Sequence, residues 1–304
     1  MSAGNRTRAT ERRFGYRRFS LLQCSLMQLT QAILPVAGLG TRFLPWTKAV
    51  PKELLPIGRM PIIALLVDEC VSVGIKDICF VISRGKEAIP EFFKTDAALE
   101  AQLQKRGKSE LLKELTRYHE VRFTSVYQDE QHGDGHAILQ AKSWVSSETI
   151  AVLFGDDLIV GKENGLQQLS KHYGDGALLA LQDVPKEEVS RYGIVEVEKT
   201  DDRLKKITGL IEKPSSKDAP STLAIVGKYI IPRSLFPTLE KVGVGHGGPP
   251  SLRSAELRGA SEIRLIDALV ASMGSLSLYG YVFEGKRFDT GTPEGYKEAV
   301  RVLG

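Results

Sequence analysis

The chain has 304 residues, 42% of them hydrophobic and 26% charged, which is typical of a globular protein with a sizeable core. No apolar run approaches the roughly 18 residues that span a bilayer, which argues against a membrane-embedded protein. The net charge of +4 is uneven, because residues 1–28 carry six arginines and one acid and so hold +5, which leaves −1 for the rest. Basic character confined to the tail does not indicate a nucleic-acid-binding domain.

Residues 1–28 are predicted to form a basic, disordered N-terminal extension, because they lack the apolar periodicity that would pack them. Met27, just before the first predicted strand, then fits the true start of translation. Two other interpretations stay open: an organelle transit peptide, since the segment is Arg-rich and almost free of acids, and a nucleic-acid-binding arm. Residues 29–304 are predicted to form a single domain.

The three cysteines, Cys24, Cys70 and Cys79, form no C-x-x-C pair, and two of them lie in apolar runs. An odd number of scattered cysteines fits buried thiols better than disulfides or a zinc site. We therefore expect a reducing compartment, the cytoplasm.

Apolar runs alternate with helical patterns up to residue 183. This alternation predicts an α/β protein with a Rossmann-like mixed, mostly parallel sheet flanked by helices. The predicted strands are 32–36, 77–82, 121–127, 150–154 and 177–182. The predicted helices between them are 62–73, 97–115, 135–141 and 165–173.

After residue 183 the pattern changes. "YGIVEVE", "KITGLIEKP" and "STLAIVGKYIIP" read as strands without full helices between them, which predicts an antiparallel or mixed section. Helices are predicted at 262–273 and 293–303, around a strand at 276–283. Residues 242–260 are rich in Gly, Pro and Ser and are predicted to be a mobile loop.

The segment "AGLGTRFLPWTKAVPKELLP", residues 37–56, directly follows the first predicted strand. Backbone N–H groups of such a glycine loop can surround a phosphate. A dinucleotide fingerprint fails because Phe43 replaces its third glycine, which disfavours a dehydrogenase, and a Walker loop is absent. Arg42, Lys48 and Lys52 lie within eleven residues, enough positive charge for a triphosphate and an expelled pyrophosphate. The segment is therefore predicted to be a phosphate-binding loop.

Together with other motifs, this loop resembles the signature of the nucleoside-diphosphate-sugar pyrophosphorylases, and most closely the bacterial members that use UTP and glucose 1-phosphate. The motifs that follow in the family's order are "VISRGKEAI", "HGDGHAILQA", "LFGDDLI", "YGIVEVE", "GLIEKP", "APSTLAIVGKYI", "SEIRLIDAL" and "FEGKRFDTGTPEGY". The resemblance covers about residues 30–303 and is specific in combination. It implies the nucleotide-diphospho-sugar transferase type of fold and a nucleotidyltransferase catalytic domain over 29–304.

The resemblance implies transfer of a uridylyl group from UTP to α-D-glucose 1-phosphate, with release of pyrophosphate, in the presence of Mg²⁺. It also implies a homo-oligomer, a dimer or tetramer. In-line transfer needs positioning and charge neutralisation rather than a covalent intermediate. The residues that match the family's catalytic positions are Arg42, Lys52, Asp156 and Lys213, and those that match its metal ligands are Asp156 and Asp289.

Further residues match the family's substrate-binding positions. Gln128 resembles the glutamine that reads the base, since an amide can both donate and accept, and Gly133 resembles the glycine that closes over it. Glu212 and Gly193 match positions that face the sugar, with Ile225 as a pocket wall, and Glu53 lies near the base or ribose. The remaining binding positions are in the glycine loop: Ala37, Gly38, Leu39 and Gly40.

Several alternatives accompany these assignments. Asp289 would also fit a helix N-cap, as any "DTGT" before a proline would. Asp157 is the less favoured metal ligand, since the family's carboxylate aligns with the first of the pair. His132 and His136, four apart, suggest a metal pair, but no third ligand is close in sequence. Glu212 and Lys213 are adjacent in a strand, so they are expected on opposite faces.

The sequence departs from the family on the sugar side. Where the family has "GGEIQLTDA" this chain has "ASEIRLIDA", with Arg264 and Ile266 replacing Gln and Thr, and Thr222 replaces Asn. A separate departure lies in the base-side motif "HGDGHA", where Asp134 stands at a position at which Leu is commoner. The choice of sugar is therefore left open, as is a different nucleotide such as dTTP. A non-catalytic paralogue that binds a nucleotide sugar is the alternative from another class, although it need not keep both carboxylates and every phosphate-binding cation.

Overall fold

The structure, a computed structural model, describes residues 29–244 and 262–304. The predicted basic extension and most of the predicted Gly/Pro/Ser-rich loop lie outside the described residues. No helix among the described residues has the length and apolar character to cross a membrane. Cys70 and Cys79 are free and buried.

The described residues form thirteen strands and nine helices in a mixed order. The strands are β1 (Gln31–Pro35), β2 (Pro56–Ile57), β3 (Met60–Pro61), β4 (Asp77–Ile82), β5 (Arg122–Tyr127), β6 (Thr149–Leu153), β7 (Asp157–Val160), β8 (Ala177–Asp183), β9 (Gly193–Val197), β10 (Leu204–Glu212), β11 (Leu223–Pro232), β12 (Leu278–Val282) and β13 (Lys286–Asp289). The helices are α1 (Ile62–Val71), α2 (Ala88–Glu91), α3 (Ala97–Lys105), α4 (Ser109–Leu115), α5 (Asp134–Gln140), α6 (Gly165–His172), α7 (Phe236–Val244), α8 (Leu265–Ser272) and α9 (Pro293–Leu303).

Nine strands form one sheet in the order β5-β4-β1-β6-β11-β8-β12-β10-β9. The part from β5 to β6 is parallel throughout. In the other part β9 also pairs with β11 through Ala224 and Ile194, so the sheet curls back on itself. Two smaller pairs, β13-β7 and β2-β3, complete the strands.

The predicted mixed α/β sheet is confirmed, but parallel pairing accounts for half of it rather than most of it. Strand β11 enters antiparallel between β6 and β8, and β10 pairs antiparallel with both β9 and β12. In this part β9 and β10, which follow each other without a helix between them, form an antiparallel pair, as directly connected neighbouring strands do. Strand β11 also follows without a helix, but it pairs with β6, β8 and β9 rather than with β10.

The core has one apolar cluster on each face of the sheet. Consecutive residues of β1 alternate between them: Ala32 and Leu34 pack with α1 and α6, whereas Ile33 packs with α5, α7 and α8. All five residues of β1 are buried, as expected of a central parallel strand covered on both faces.

Two further features differ from the sequence-based expectation. The predicted helix 97–115 is divided into α3 and α4, because Gly107 adopts a φ of 64° that a continuous helix does not allow. The antiparallel pair of β7 and β13 was not predicted, since both strands have only four residues.

Candidate active site

The residues predicted to bind phosphate, base and metal follow three strands of the parallel part of the sheet. Ala37 begins the loop after β1, Gln128 follows β5, and Asp156 follows β6. Because these strands are parallel, their carboxyl ends lie at the same edge of the sheet, where α/β proteins bind ligands. The topology therefore brings the three segments to one cleft.

The phosphate-binding loop is a series of short 3-10 turns rather than one helix. The turns are Thr41–Phe43, Trp46–Lys48 and Lys52–Leu54. Gly40 precedes them with a φ of 65°, a conformation that favours glycine. Its carbonyl accepts a hydrogen bond of 2.9 Å from Thr47 Oγ1, which folds the loop back on itself. Gly38 and Leu39 are exposed, whereas the buried Ala37 accepts a hydrogen bond from Gln131 Nε2.

Lys52 and Asp156 form the central ion pair of the cleft. Lys52 Nζ donates to Asp156 Oδ2 at 2.8 Å, across 104 positions of sequence. Burial favours a lower pKa for Lys52, but the carboxylates around it, Asp156 above all, outweigh burial and raise the pKa. Burial favours a higher pKa for Asp156, but Lys52, Arg287 and Arg42 together lower the pKa below its ordinary value. Both groups are therefore charged at neutral pH.

The carboxylates of Asp289 and Asp156 border the same small space beside Gly291. Asp289 Oδ1 accepts a hydrogen bond of 3.1 Å from Gly291 N. A side-chain carbon at Gly291 would lie 2.6 Å from Asp156 Oδ2 and 3.1 Å from Asp289 Oδ1. Arg42 reaches the same spot, because its Nη1 lies 3.3 Å from Gly291 O. Glycine thus leaves open a space with two carboxylates on one side and two cations, Arg42 and Lys52, on its rim.

This arrangement fits a divalent metal of the Mg²⁺ type, which takes oxygen ligands and usually only one or two protein carboxylates, with water and substrate phosphates completing its shell. In residues 29–244 and 262–304, no three His, Cys, Asp or Glu side chains converge as a metal cage. Asp156 and Asp289 would therefore hold such an ion only together with oxygens from water or substrate.

Two alternatives for these aspartates are resolved by their neighbours. The N-cap of α9 is Thr292, whose Oγ1 accepts from Gly295 N at 3.1 Å, so Asp289 is not that cap. Asp157 is buried and engaged by the protein: its Oδ2 accepts from Gly227 N at 2.7 Å, and its Oδ1 pairs with the Arg287 guanidinium. Asp157 is therefore a structural neighbour of the space beside Gly291.

The predicted base-binding residues also come together. Gln128 is buried, and its Nε2 donates to Gly133 O at 2.9 Å and lies 3.1 Å from His136 Nδ1. Gly133 has a φ of 96°, and a side-chain carbon there would lie 2.4 Å from Ile263 O, so a larger residue does not fit. His132, which the sequence suggests as one half of a metal-binding pair with His136, lies against the carboxylate of Glu130.

Asp134, one of the departures from the family pattern, joins this base-side loop to α8. Its Oδ1 accepts a hydrogen bond of 2.8 Å from Leu265 N, the first residue of that helix. Next to it, Ile263 N donates to His132 O at 2.7 Å. The start of α8 is thereby fixed to the loop that carries Gly133.

The predicted sugar-side residues surround Gly193, which pairs with Glu212 across β9 and β10. A side-chain carbon at Gly193 would lie 3.2 Å from Glu212 Oε2 and 3.4 Å from Ile225 Cδ1. It would lie only 2.7 Å from Ile266 Cδ1. The departure at Ile266 therefore falls in the wall of this pocket.

The expectation that Glu212 and Lys213 point to opposite faces of a strand is wrong. Strand β10 ends at Glu212, and Lys213 has a φ of 49°, outside the extended conformation that alternation requires. Lys213 Nζ consequently lies 3.4 Å from Glu212 Oε1, and Lys213 N donates to Tyr192 O at 2.9 Å. A non-glycine residue held at positive φ is typical of functional sites.

The departure at Arg264 is local to α8. Its Nε and Nη2 both lie 2.8 Å from the carboxylate oxygens of Asp267, three residues later. Arg264 thus neutralises the first turn of its own helix and makes no hydrogen bond or ion pair to the sugar-side residues. Thr222 accepts through its backbone carbonyl from Val184 N.

Three cations of the site were missed by sequence reasoning. Lys86 binds Glu53, whose carboxylate is only 1% exposed and so faces the interior rather than an open base site. Arg191 Nη2 lies 3.7 Å from Asp289 Oδ2, and Arg287 pairs with Asp157. Lys86 lies in a motif of the resemblance, but no spacing in the sequence reveals a partner 33 positions away.

Comparison with known proteins identifies the family of this chain. Residues 31–302 match the nucleotidyl transferase family. The chain is 39% identical over 268 residues to a UTP–glucose-1-phosphate uridylyltransferase of Komagataeibacter xylinus, covering 87% of this chain and 90% of that protein.

Two solved structures are similar. One is a UDP-glucose pyrophosphorylase complexed with UDP-glucose, with a TM-score of 0.77 and 32% identity over 90% of this chain and 97% of that one. The other is a UTP-bound UGPase from Acinetobacter baumannii, with a TM-score of 0.78 and 34% identity over 90% of this chain and 92% of that one. With a family match over almost all the described residues and relatives of this identity, the chain belongs to the nucleotidyl transferase family.

Proposed function

We propose that this protein transfers a uridylyl group from UTP to α-D-glucose 1-phosphate, giving UDP-glucose and pyrophosphate. One observation carries the proposal: Asp156 and Asp289, which are far apart in the sequence, border the space beside Gly291 together with Lys52 and Arg42. Paired carboxylates with paired cations fit a polyphosphate with its metal. Relatives named for this reaction, and similar structures with UTP or UDP-glucose bound, support the choice of substrates.

In the reaction, an oxygen of the glucose 1-phosphate phosphate forms a bond to the α-phosphorus of UTP. The bond from that phosphorus to the bridging oxygen of pyrophosphate breaks, and its electron pair leaves with pyrophosphate. No residue need form a covalent bond to substrate. Arg42 and Lys52 would hold the triphosphate and offset the negative charge that grows on the leaving group, which is where preorganised cations contribute most.

Asp156 and Asp289 would hold Mg²⁺, which when bound neutralises phosphate charge and polarises the phosphoryl group. In the free protein, Lys52 Nζ lies 2.8 Å from Asp156 Oδ2 and neutralises that carboxylate. Arg191 Nη2 lies 3.7 Å from Asp289 Oδ2. Lys52 thus lowers the pKa of Asp156 against the effect of burial and keeps that carboxylate charged in the free protein.

On the other side of the cleft, Lys213 would hold the attacking phosphate and Glu212 would accept hydrogen bonds from sugar hydroxyls. Both are in place because Tyr192 O binds Lys213 N and Gly193 leaves room in front of Glu212. Gln128 and Gly133 would contact the uracil. The loop from Ala37 to Gly40 would surround the phosphates with its backbone N–H groups.

We further infer a single catalytic domain over residues 29–304, a homo-oligomer, and a location in the cytoplasm. The family match over 31–302 supports the first. The second rests only on the resemblance of the sequence motifs to the pyrophosphorylases. Free, buried cysteines fit a reducing compartment. Sedimentation of the purified chain tests the oligomer.

The test of function is a pyrophosphate-release assay with each of four nucleoside triphosphates and several sugar 1-phosphates, with Mg²⁺. We expect the highest kcat/KM for UTP with glucose 1-phosphate. A higher value for dTTP or another hexose 1-phosphate would contradict the substrate assignment and leave the reaction class intact. Binding of UDP-glucose without turnover of any pair would favour the non-catalytic paralogue.

A further inference from the structure

Lys86 lies beneath the phosphate-binding loop and contacts both of its ends. Its Nζ donates to the carbonyl of Val36, the last residue before the loop, at 2.7 Å. The same atom lies 2.9 Å and 3.1 Å from the two carboxylate oxygens of Glu53, which directly follows Lys52. Lys86 is 7% exposed and Glu53 1%. Among the described residues, the hydrogen bonds of this ammonium group thus go to the two ends of one loop.

The position of Glu53 also determines where Lys52 points. The two residues open the 3-10 turn Lys52–Leu54, in which neighbouring side chains project about 120° apart. With Glu53 held in the interior, Lys52 is directed into the cleft, where it reaches Asp156. Gly155 allows this, because a side-chain carbon there would lie 3.2 Å from Glu53 Cγ.

We propose that Lys86 is a positioning residue for the triphosphate loop: it joins the start of the loop to its end and thereby orients Lys52. The expected effect on UTP binding rests on the proposed function, whereas the positioning of the loop by Lys86 does not. Glu53 then acts through Lys86 and Lys52 rather than on the base or ribose.

The competing explanation is that this buried ion pair contributes only to overall stability. Removing one partner of such a pair is strongly destabilising, because it leaves a buried charge unpaired. The chain offers a matched control for that effect. Lys228 and Glu69 form a second buried pair, with Nζ 2.7 Å from Oε2 and exposures of 0% and 4%. This pair joins β11 to α1 and does not contact the loop.

The test compares two double variants of the full chain, Glu53→Gln/Lys86→Met and Glu69→Gln/Lys228→Met. Each removes both charges of one buried pair, so neither leaves an unpaired charge. Amide hydrogen exchange is measured without ligand over residues 37–54, together with Tm. We expect exchange in that segment to become at least about tenfold faster in the first variant and to stay unchanged in the second, since local opening follows local contacts.

If the loop exchanges at the parent rate in Glu53→Gln/Lys86→Met, or if both variants accelerate it in proportion to their loss of Tm, the positioning role is wrong. A titration with UTP completes the test. We expect the first variant to bind UTP at least about tenfold more weakly, with glucose 1-phosphate affinity within about twofold of the parent. Unchanged UTP affinity in a loosened loop would also overturn the proposal. If the parent itself neither binds nor turns over UTP, the proposed function fails, whereas the exchange measurement still decides on Lys86.

Discussion

The two sides of the cleft are held together by different forces. On the phosphate side, charged groups from distant parts of the chain meet: Lys52 binds Asp156, and Lys86 binds Glu53. On the sugar side, the pocket around Gly193 is shaped mainly by close packing, with Ile266 and Ile225 as walls. The phosphate side is therefore an electrostatic construction and the sugar side largely a steric one.

This difference matches the distribution of departures from the family pattern. A cluster of buried ion pairs tolerates few substitutions, because replacing one charged residue leaves the charge of its partner unpaired, which is strongly destabilising. A packed wall tolerates substitutions of similar volume. Ile266 replaces a threonine in the wall, whereas the residues of the phosphate side all match the family. We therefore expect changes on the phosphate side to alter kcat, and changes on the sugar side to alter recognition of the sugar phosphate.

The largest expected effect is loss of a metal carboxylate. Asp156→Asn and Asp289→Asn should each lower kcat at least about a thousandfold, since a metal at developing phosphate charge is worth several kcal/mol. Pyrophosphate release is measured at saturating substrates over a range of Mg²⁺ concentrations. Near-normal rates at limiting Mg²⁺ would remove that residue from the metal site.

Asp157→Asn is the matched control, because Asp157 is adjacent but bound to Arg287 and Gly227 N. It should lower the free energy of unfolding by about 3–5 kcal/mol, as loss of one partner of a buried ion pair does. Its Mg²⁺ dependence should resemble that of the parent. A shift as large as that of Asp156→Asn would make Asp157 a ligand.

The second prediction separates the two sides directly. Arg42→Ala and Lys213→Ala should each cost about 2–4 kcal/mol of transition-state stabilisation, or roughly 30- to 1000-fold in rate. Arg42→Ala should act mostly on kcat, because charge on pyrophosphate grows only as the bond breaks. Lys213→Ala should also weaken glucose 1-phosphate binding. Titrations of both variants with UTP and with glucose 1-phosphate check this. If Lys213→Ala loses UTP affinity and keeps its affinity for the sugar phosphate, the assignment of Lys213 to the sugar side is wrong.

The residues that the sequence predicts for the phosphate side lie close together in the structure, because they fall in contiguous motifs at strand ends. The predicted strand 77–82 and helix 293–303 coincide with β4 and α9, where periodicity and Pro293 mark the boundaries. Sequence reasoning failed where a conformation depends on one residue: Gly107 divides a helix, and the positive φ of Lys213 ends the alternation of β10.

Contacts across long separations were the other gap. The partner of Glu53 is Lys86, and Asp157 is bound by Arg287, which lies two residues before Asp289 in a four-residue strand. Neither contact has a local pattern in the sequence, since each forms only when segments that are distant in the chain are brought together. The sequence therefore predicts which residues carry charge in the site, and the fold decides which of them face one another.

A smaller effect is expected from filling the space at Gly193. Gly193→Ala should raise KM for glucose 1-phosphate about tenfold with little change for UTP, because the added carbon falls 2.7 Å from Ile266 Cδ1 and 3.2 Å from Glu212 Oε2. Adding Ile266→Ala should recover part of the loss, because it removes the closest of these contacts. Steady-state kinetics of the single and double variants decide, and an equal rise in KM for UTP would contradict a steric sugar site.

The smallest effect concerns the pH dependence of stability. Lys52, whose pKa is raised, contributes stabilisation that is complete below its ordinary 10.5 and is lost as the pH rises through the raised value. Asp156, whose pKa is lowered, contributes stabilisation that is complete above its ordinary 3.8 and is lost as the pH falls through the lowered value. The difference in free energy of unfolding between the parent and Lys52→Gln should therefore be constant from about pH 5 to about pH 9 and shrink at both extremes.

Because Asp156 is about one-third exposed, solvent screens this pair, and the constant difference should be only about 1 kcal/mol. Urea unfolding across the pH range measures it. Lys94→Gln, in an exposed pair with Glu91, serves as the charged control and should show almost no difference at any pH. Ile266→Ala serves as the control from the steric side, and its loss of stability should not vary with pH, since no charge is removed. A pH-dependent loss in Ile266→Ala, or a difference for Lys52→Gln that does not shrink as the pH falls below the ordinary pKa of Asp156, would mean that charge and packing are not divided between the two sides as proposed.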